Sequence, residues 1–111
     1  MRTYPSLKEK RRYLVFEIIS DRKASFEEVK HAIHDSALGF MGRLGMAKAK
    51  LRFISDKWDL EKQTGVLITE RKSLDKIRAS LCLTTKIGIN KAIITSVASS
   101  GILKKALSRH D

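Results

Sequence analysis

Apolar and polar positions alternate along residues 12–20, with Leu14, Phe16 and Ile18 on one side and Tyr13, Val15, Glu17 and Ile19 on the other. That is the period of an extended strand, and its wholly apolar side requires a covering layer. The period then lengthens: Phe26, Val29, Ile33, Ala37, Phe40 and Met41 recur at helical spacing. Ser25 stands at the N-cap position and Glu28 three residues on, the pattern of a capping box. Gly39 or Gly42 predicts the end of this helix, and Gly45 extends a glycine-rich connection. Alternation returns over residues 48–58, where Ala49, Leu51 and Phe53 oppose Lys48, Lys50 and Arg52. Residues 59–63 read as a polar turn and residues 64–71 as the second arm of a hairpin. Ser73 is placed to cap a second helix whose face carries Leu74, Ile77, Leu81 and Thr84 and which ends at Gly88. Residues 89–97 suit a fourth strand, and residues 102–109 a short basic helix after Gly101.

The resulting order is strand, helix, strand, strand, helix, strand. With right-handed crossovers it predicts an α+β fold, a ferredoxin-like or RNA-recognition-motif-like sandwich: a four-stranded antiparallel sheet with both helices on one face and a short C-terminal helix. At 111 residues the chain holds one domain, read as residues 1–111 with a basic N-terminal arm at 1–11. Many unrelated activities use this architecture, so function has to come from particular side chains.

Composition changes the picture through charge. Apolar residues at 42% and charged residues at 32% are ordinary for a folded domain, but 23 Lys and Arg against 12 Asp and Glu leave a formal +11. Such a surface attracts polyanions, and nucleic acid is the commonest, because each neutralised phosphate releases a condensed counterion. No run reaches the roughly 18 apolar residues of a spanning helix, and no signal-peptide pattern follows the basic N-terminus. A cytoplasmic location away from membranes is the expectation. Cys82 is the one cysteine, which excludes an intramolecular disulfide and is read as a small buried residue.

The side chains that could carry chemistry are few. The carboxylates are scattered rather than paired, and no nucleophile stands beside a base, so no catalytic residue is assigned. His31, His34 and Asp35 form a compact run that lacks the further donors of a metal site, and no metal is assigned. Gly39-x-x-Gly42-x-x-Gly45 is followed by Arg43, Lys48, Lys50 and Arg52, and its amides suit either an anion-binding nest or a plain helix stop. It lacks the lysine-hydroxyl signature of a nucleotide-binding loop. The third predicted strand carries none of the aromatic residues on which RNA-recognition motifs stack bases, and Tyr13 alone is no platform. RNA would then be held through phosphates and shape, leaving Val15, Ile19 and Leu67 on the open sheet face for a protein partner, or beneath the arm or the C-terminal helix.

Several runs together resemble a known family: Leu7-Lys8-Glu9-Lys10-Arg11-Arg12-Tyr13-Leu14-Val15-Phe16-Glu17-Ile18, Gly42-Arg43-Leu44-Gly45-Met46-Ala47, Gly65-Val66-Leu67-Ile68-Thr69-Glu70-Arg71, Arg78-Ala79-Ser80-Leu81 and Val97-Ala98-Ser99-Ser100-Gly101-Ile102. They are similar, in order and over nearly the whole chain, to protein component 2 of archaeal ribonuclease P. The resemblance implies a subunit of the endoribonuclease that removes the 5′ leader of precursor tRNA. It implies that the RNA of the particle performs the hydrolysis with Mg2+, and that this chain binds no cofactor of its own. It implies as partners the ribonuclease P RNA, precursor tRNA indirectly, and protein component 3, in a two-plus-two assembly around a homodimer. Carried onto this chain, the RNA contacts are Arg11, Arg12 and Arg43, supported by Lys8, Lys10, Lys48, Lys50 and Arg52, with Lys104, Lys105 and Arg109 as a second patch.

Two other readings use the same residues. Another RNA-binding ribonucleoprotein subunit would need the same basic surface, and a small-ligand-sensing regulatory domain of the same strand-helix order would need a polar pocket and no excess of cations. A small acyl-phosphate hydrolase of this fold requires a glycine-flanked arginine loop after the first strand, where this chain has Ser20-Asp21-Arg22-Lys23.

Overall fold

The computed structural model describes residues 11–100. The arm residues Lys8 and Lys10, the patch Lys104, Lys105 and Arg109, and the expected C-terminal helix lie outside the described residues. The elements are β1 (Arg11–Ser20), α1 (Phe26–Ala49), β2 (Arg52–Phe53), a 3-10 turn (Ser55–Lys57), β3 (Thr64–Glu70), a second 3-10 turn (Arg71–Ser73), α2 (Leu74–Leu83), β4 (Lys86–Ile87) and β5 (Asn90–Ser100). The strands form one antiparallel sheet in the order β2-β3-β1-β5-β4. It is an α+β fold with five strands rather than the expected four. Gly88 does not end α2; it opens the two-residue turn of a β4–β5 hairpin, with φ 64°.

One core holds the layers together. Leu14, Phe16 and Ile18 of β1, Leu67 of β3 and Ile94 of β5 are buried against Val29, Ile33 and Ala37 of α1 and Ile77 and Leu81 of α2. Both helices therefore cover the sheet face predicted from the β1 alternation. An aromatic chain extends this core toward β2: Phe16 meets Phe53 edge-on at 6.4 Å, Phe53 meets Phe26 at 6.5 Å, and Phe26 lies 6.0 Å from Trp58. Gly65 permits this contact, since a Cβ there would stand 2.8 Å from Phe16 Cζ and 3.0 Å from Trp58 Cε3.

The expected capping box starts α1: Glu28 N donates to Ser25 Oγ at 3.2 Å and Ser25 N donates to Glu28 Oε1 at 3.0 Å. The predicted stop at Gly42 is an interruption instead. Gly42 takes φ 75° and ψ 174°, a conformation reserved for glycine, and helix resumes as far as Ala49. Consequently the strand expected over residues 48–58 shrinks to Arg52–Phe53. Ala49 is fully buried and its carbonyl accepts from Thr69 Oγ1 at 2.8 Å, which holds the end of α1 against β3. Ser73 does not cap α2 through its side chain; the chain enters that helix from the 3-10 turn. Cys82 is exposed, not buried, because Ile77, Ser80 and Leu81 occupy the inward side of α2.

Candidate nucleic-acid interface

The sheet register decides which cations meet. β1 begins at Arg11 opposite Glu70, the last residue of β3, so the residues after Glu70 lie at the same end of the sheet. β2 runs antiparallel to β3 with Arg52 opposite Ile68, and Ile68 is opposite Tyr13, which places the start of β2 there too. The Thr69 bond to Ala49 brings the last turn of α1 to this end. Arg11, Arg12, Lys48, Lys50, Arg52, Arg71 and Lys72 therefore converge, against Glu70 and Asp75 as the acids of these segments. All seven cations but the half-buried Arg12 are exposed. Arg71 and Lys72 were not singled out from the sequence; the register that would have revealed them is a pairing between segments some sixty residues apart.

The seven are not on one face. By strand alternation Arg11 lies with Tyr13 and Val15 on the side away from the helices, and Arg52, in a cross-sheet row with Ile68 and Tyr13, shares that side. Arg12, opposite Thr69, lies on the helix side, and its Nη1 donates to the Arg11 carbonyl at 3.2 Å. Lys50 is the C-cap of α1 in the left-handed conformation, φ 49° and ψ 48°, with its N–H on the Met46 carbonyl. The cations thus wrap the end of the sandwich. A curved, phosphate-lined backbone could meet them from both sides. Arg43 is exposed just past the Gly42 interruption, six residues or about 9 Å of helix before Ala49, and stands apart from the group.

The far end is charge-mixed: Asp21, Glu27, Glu28, Asp56, Asp59 and Glu61 sit in the loops and the first turn of α1 there, among Arg22, Lys23, Lys57, Lys62, Lys86 and Lys91. Lys23 pairs with Glu61, and Gln63 ties the β1–α1 loop to β3. Its Oε1 accepts from Ala24 N at 2.8 Å and its Nε2 donates to Ala24 O at 3.2 Å and Leu60 O at 2.7 Å.

The open sheet face differs from the expectation at two positions: Val15 lies on it but is buried by its neighbours rather than available to a partner, and Leu67 is not on it. Val15 and Val66 are its buried pair, joined by Tyr13, Ile54 and Ala98. Leu67 is fully buried on the helix side, because it is the cross-strand partner of Leu14 and partners in an antiparallel ladder project the same way. Ile19 is on the open face and 55% exposed.

His31 Nε2 lies 3.2 Å from Asp35 Oδ2, an exposed pair one helical turn apart. Among the described residues no three His, Cys, Asp or Glu side chains gather as metal ligands. No helix among the described residues is long and apolar enough to cross a membrane.

Against known proteins, residues 12–110 match the model of the Rpp14/Pop5 family. The chain belongs to the Rpp14/Pop5 family. Its relatives include ribonuclease P protein component 2 of Thermococcus gammatolerans, 41% identical over 91% of this chain and 82% of the relative. The protein of the same name from Pyrococcus furiosus is 39% identical with the same coverage. A chain of yeast ribonuclease MRP solved by cryo-electron microscopy superposes with a TM-score of 0.65 at 10% identity, over 91% of this chain and 78% of that one, a likeness of fold. Every converging cation except Arg11 falls within the span matched by the family model.

Proposed function

We infer that this chain is protein component 2 of ribonuclease P, a protein subunit of an endoribonuclease that processes precursor tRNA. The observation that carries this reading is the relationship to component 2 proteins over nine-tenths of the chain. The end of the sheet where Arg11, Lys50, Arg52, Arg71 and Lys72 converge is consistent with it, since it supplies a phosphate-binding surface.

On this reading the chain contacts the ribonuclease P RNA through that end, with Arg12, Arg43 and Lys48 flanking it and Lys8, Lys10, Lys104, Lys105 and Arg109 contributing from the termini. Hydrolysis belongs to the RNA and its Mg2+, precursor tRNA is met through the RNA, and the chain itself contributes no reacting group. Protein component 3 and a second copy of this chain complete a cytoplasmic particle of two copies of each. The sandwich as a whole corresponds to the ferredoxin-like order with β4 added at the edge.

The test is affinity purification of the tagged chain from its own cells, with sequencing of the bound RNA and an assay of 5′-leader removal from precursor tRNA. Enrichment of ribonuclease P RNA with cleavage is the expected result. Enrichment of ribosomal RNA without cleavage overturns the reading.

A further inference from the structure

At the end of the sheet opposite the converging cations, the open face carries an apolar pair that no other described residue buries. Ile19 and Ile93 are cross-strand partners on β1 and β5 and are 55% and 59% exposed. Ile89, at the tip of the β4–β5 hairpin, is 94% exposed. Beside them Lys86 and Lys91 are direct cross-strand partners in the hairpin, both exposed. Lys91 precedes Ile93 by two residues and so shares its face, about 7 Å along the strand. Asp21 also lines the groove of about 570 Å³ between these residues, yet neither lysine has an ion-pair partner among the described residues.

Like charges directly opposite in an antiparallel pair destabilise it, and here they do so in a strand of two residues at the sheet edge. The hairpin would be better off locally with one of them acidic. We propose that Ile19, Ile93 and Ile89 with the Lys86–Lys91 pair form a docking surface for a protein partner that presents an apolar side chain flanked by carboxylates. An aliphatic centre offers RNA bases no ring to stack on. A second copy meeting the same patch about a two-fold axis would bring two lysine pairs together, in a chain already at +11. A carboxylate partner relieves the repulsion that the isolated hairpin carries, while burial of the isoleucines provides the apolar contribution.

This inference rests on the reading of the chain as one subunit of a larger particle. Its test uses that particle, purified through a tag on this chain, treated with a zero-length carbodiimide that joins amines to carboxylates, and digested for mass spectrometry. The expected product links Lys86 or Lys91 to an Asp or Glu of a different protein. Lys86→Glu, which makes the cross-strand pair opposite in charge, should raise the melting temperature of the isolated chain while lowering retention of that same protein by on the order of tenfold. Ile93→Arg should lower retention likewise. Links confined to a second copy of the chain, photo-cross-links of this hairpin to RNA, or both lysines remaining open to amine reagents in the particle overturn the proposal. These readouts concern the hairpin whichever RNA the particle contains, so they are separate from a failure to find ribonuclease P RNA.

Discussion

Two residues, Lys50 and Gln63, carry conformations or bonds that their neighbours impose. Lys50 pays for its left-handed backbone, which costs an L residue about 1–2 kcal/mol relative to the right-handed one. Lys50→Gly is therefore a charge-removing substitution that should leave thermal stability unchanged or higher. If Lys50 meets a phosphate, the same variant should reduce the salt dependence of RNA binding by about one unit of slope; an unchanged slope removes Lys50 from the interface. Gln63 is buried and satisfies both the N–H and the C=O of Ala24. Gln63→Ala leaves those groups without partners and should destabilise the chain by about 2–3 kcal/mol, read as a lowered midpoint in urea with the m value unchanged.

At the scale of elements, α1 is two helical segments joined at Gly42, and its course decides how much of the following chain can be strand. The first segment buries Val29, Ile33 and Ala37, the second ends with the buried Ala49 beneath Thr69. A Cβ at residue 42 would meet nothing within 4 Å, so the cost of Gly42→Ala is purely that of its backbone. That cost should be about 1–3 kcal/mol. Thr69→Val removes the tether to the Ala49 carbonyl while keeping the volume, and about 1 kcal/mol of stability should go with it. Because that bond holds Lys48 and Lys50 near β3, RNA affinity should fall more than the stability loss alone explains; affinity unchanged in a folded Thr69→Val chain would show that the tether does not organise the interface.

For the whole molecule, the sheet distributes charge unevenly along its strands, with an excess of cations where β1 starts and a balance of cations and carboxylates where it ends. The positive excess of the described residues is therefore oriented along the strands and should steer RNA to one end of the sandwich. Replacing Arg11, Arg52 and Lys72 together by alanine should flatten the salt slope of RNA binding by about 2–3 units. Replacing Lys23, Lys62 and Lys91 at the other end removes the same formal charge and should change it by less than one. Equal effects from the two triples would mean that net charge alone drives binding.

The local pattern of the chain was enough for β1, the Ser25–Glu28 cap, the inward stripe Val29-Ile33-Ala37, the turn after Asp59 and the α+β order, because each depends on the period of burial or on hydrogen bonds within four residues. It was enough as well for the basic character of the chain and for its family. It was not enough for the β4–β5 hairpin or for the continuation of α1 past Gly42, where residues 43–53 satisfy helix and strand alternation alike until Ala49 finds its place under Thr69. Nor could it assign Leu67, whose side of the sheet depends on pairing with Leu14 rather than on its own neighbours, or Arg71 and Lys72, which join the basic end only because Glu70 stands opposite Arg11. The excess of cations is written in composition, but which of them stand together is a matter of register. Register is set between distant segments, and it was the tertiary structure that decided it.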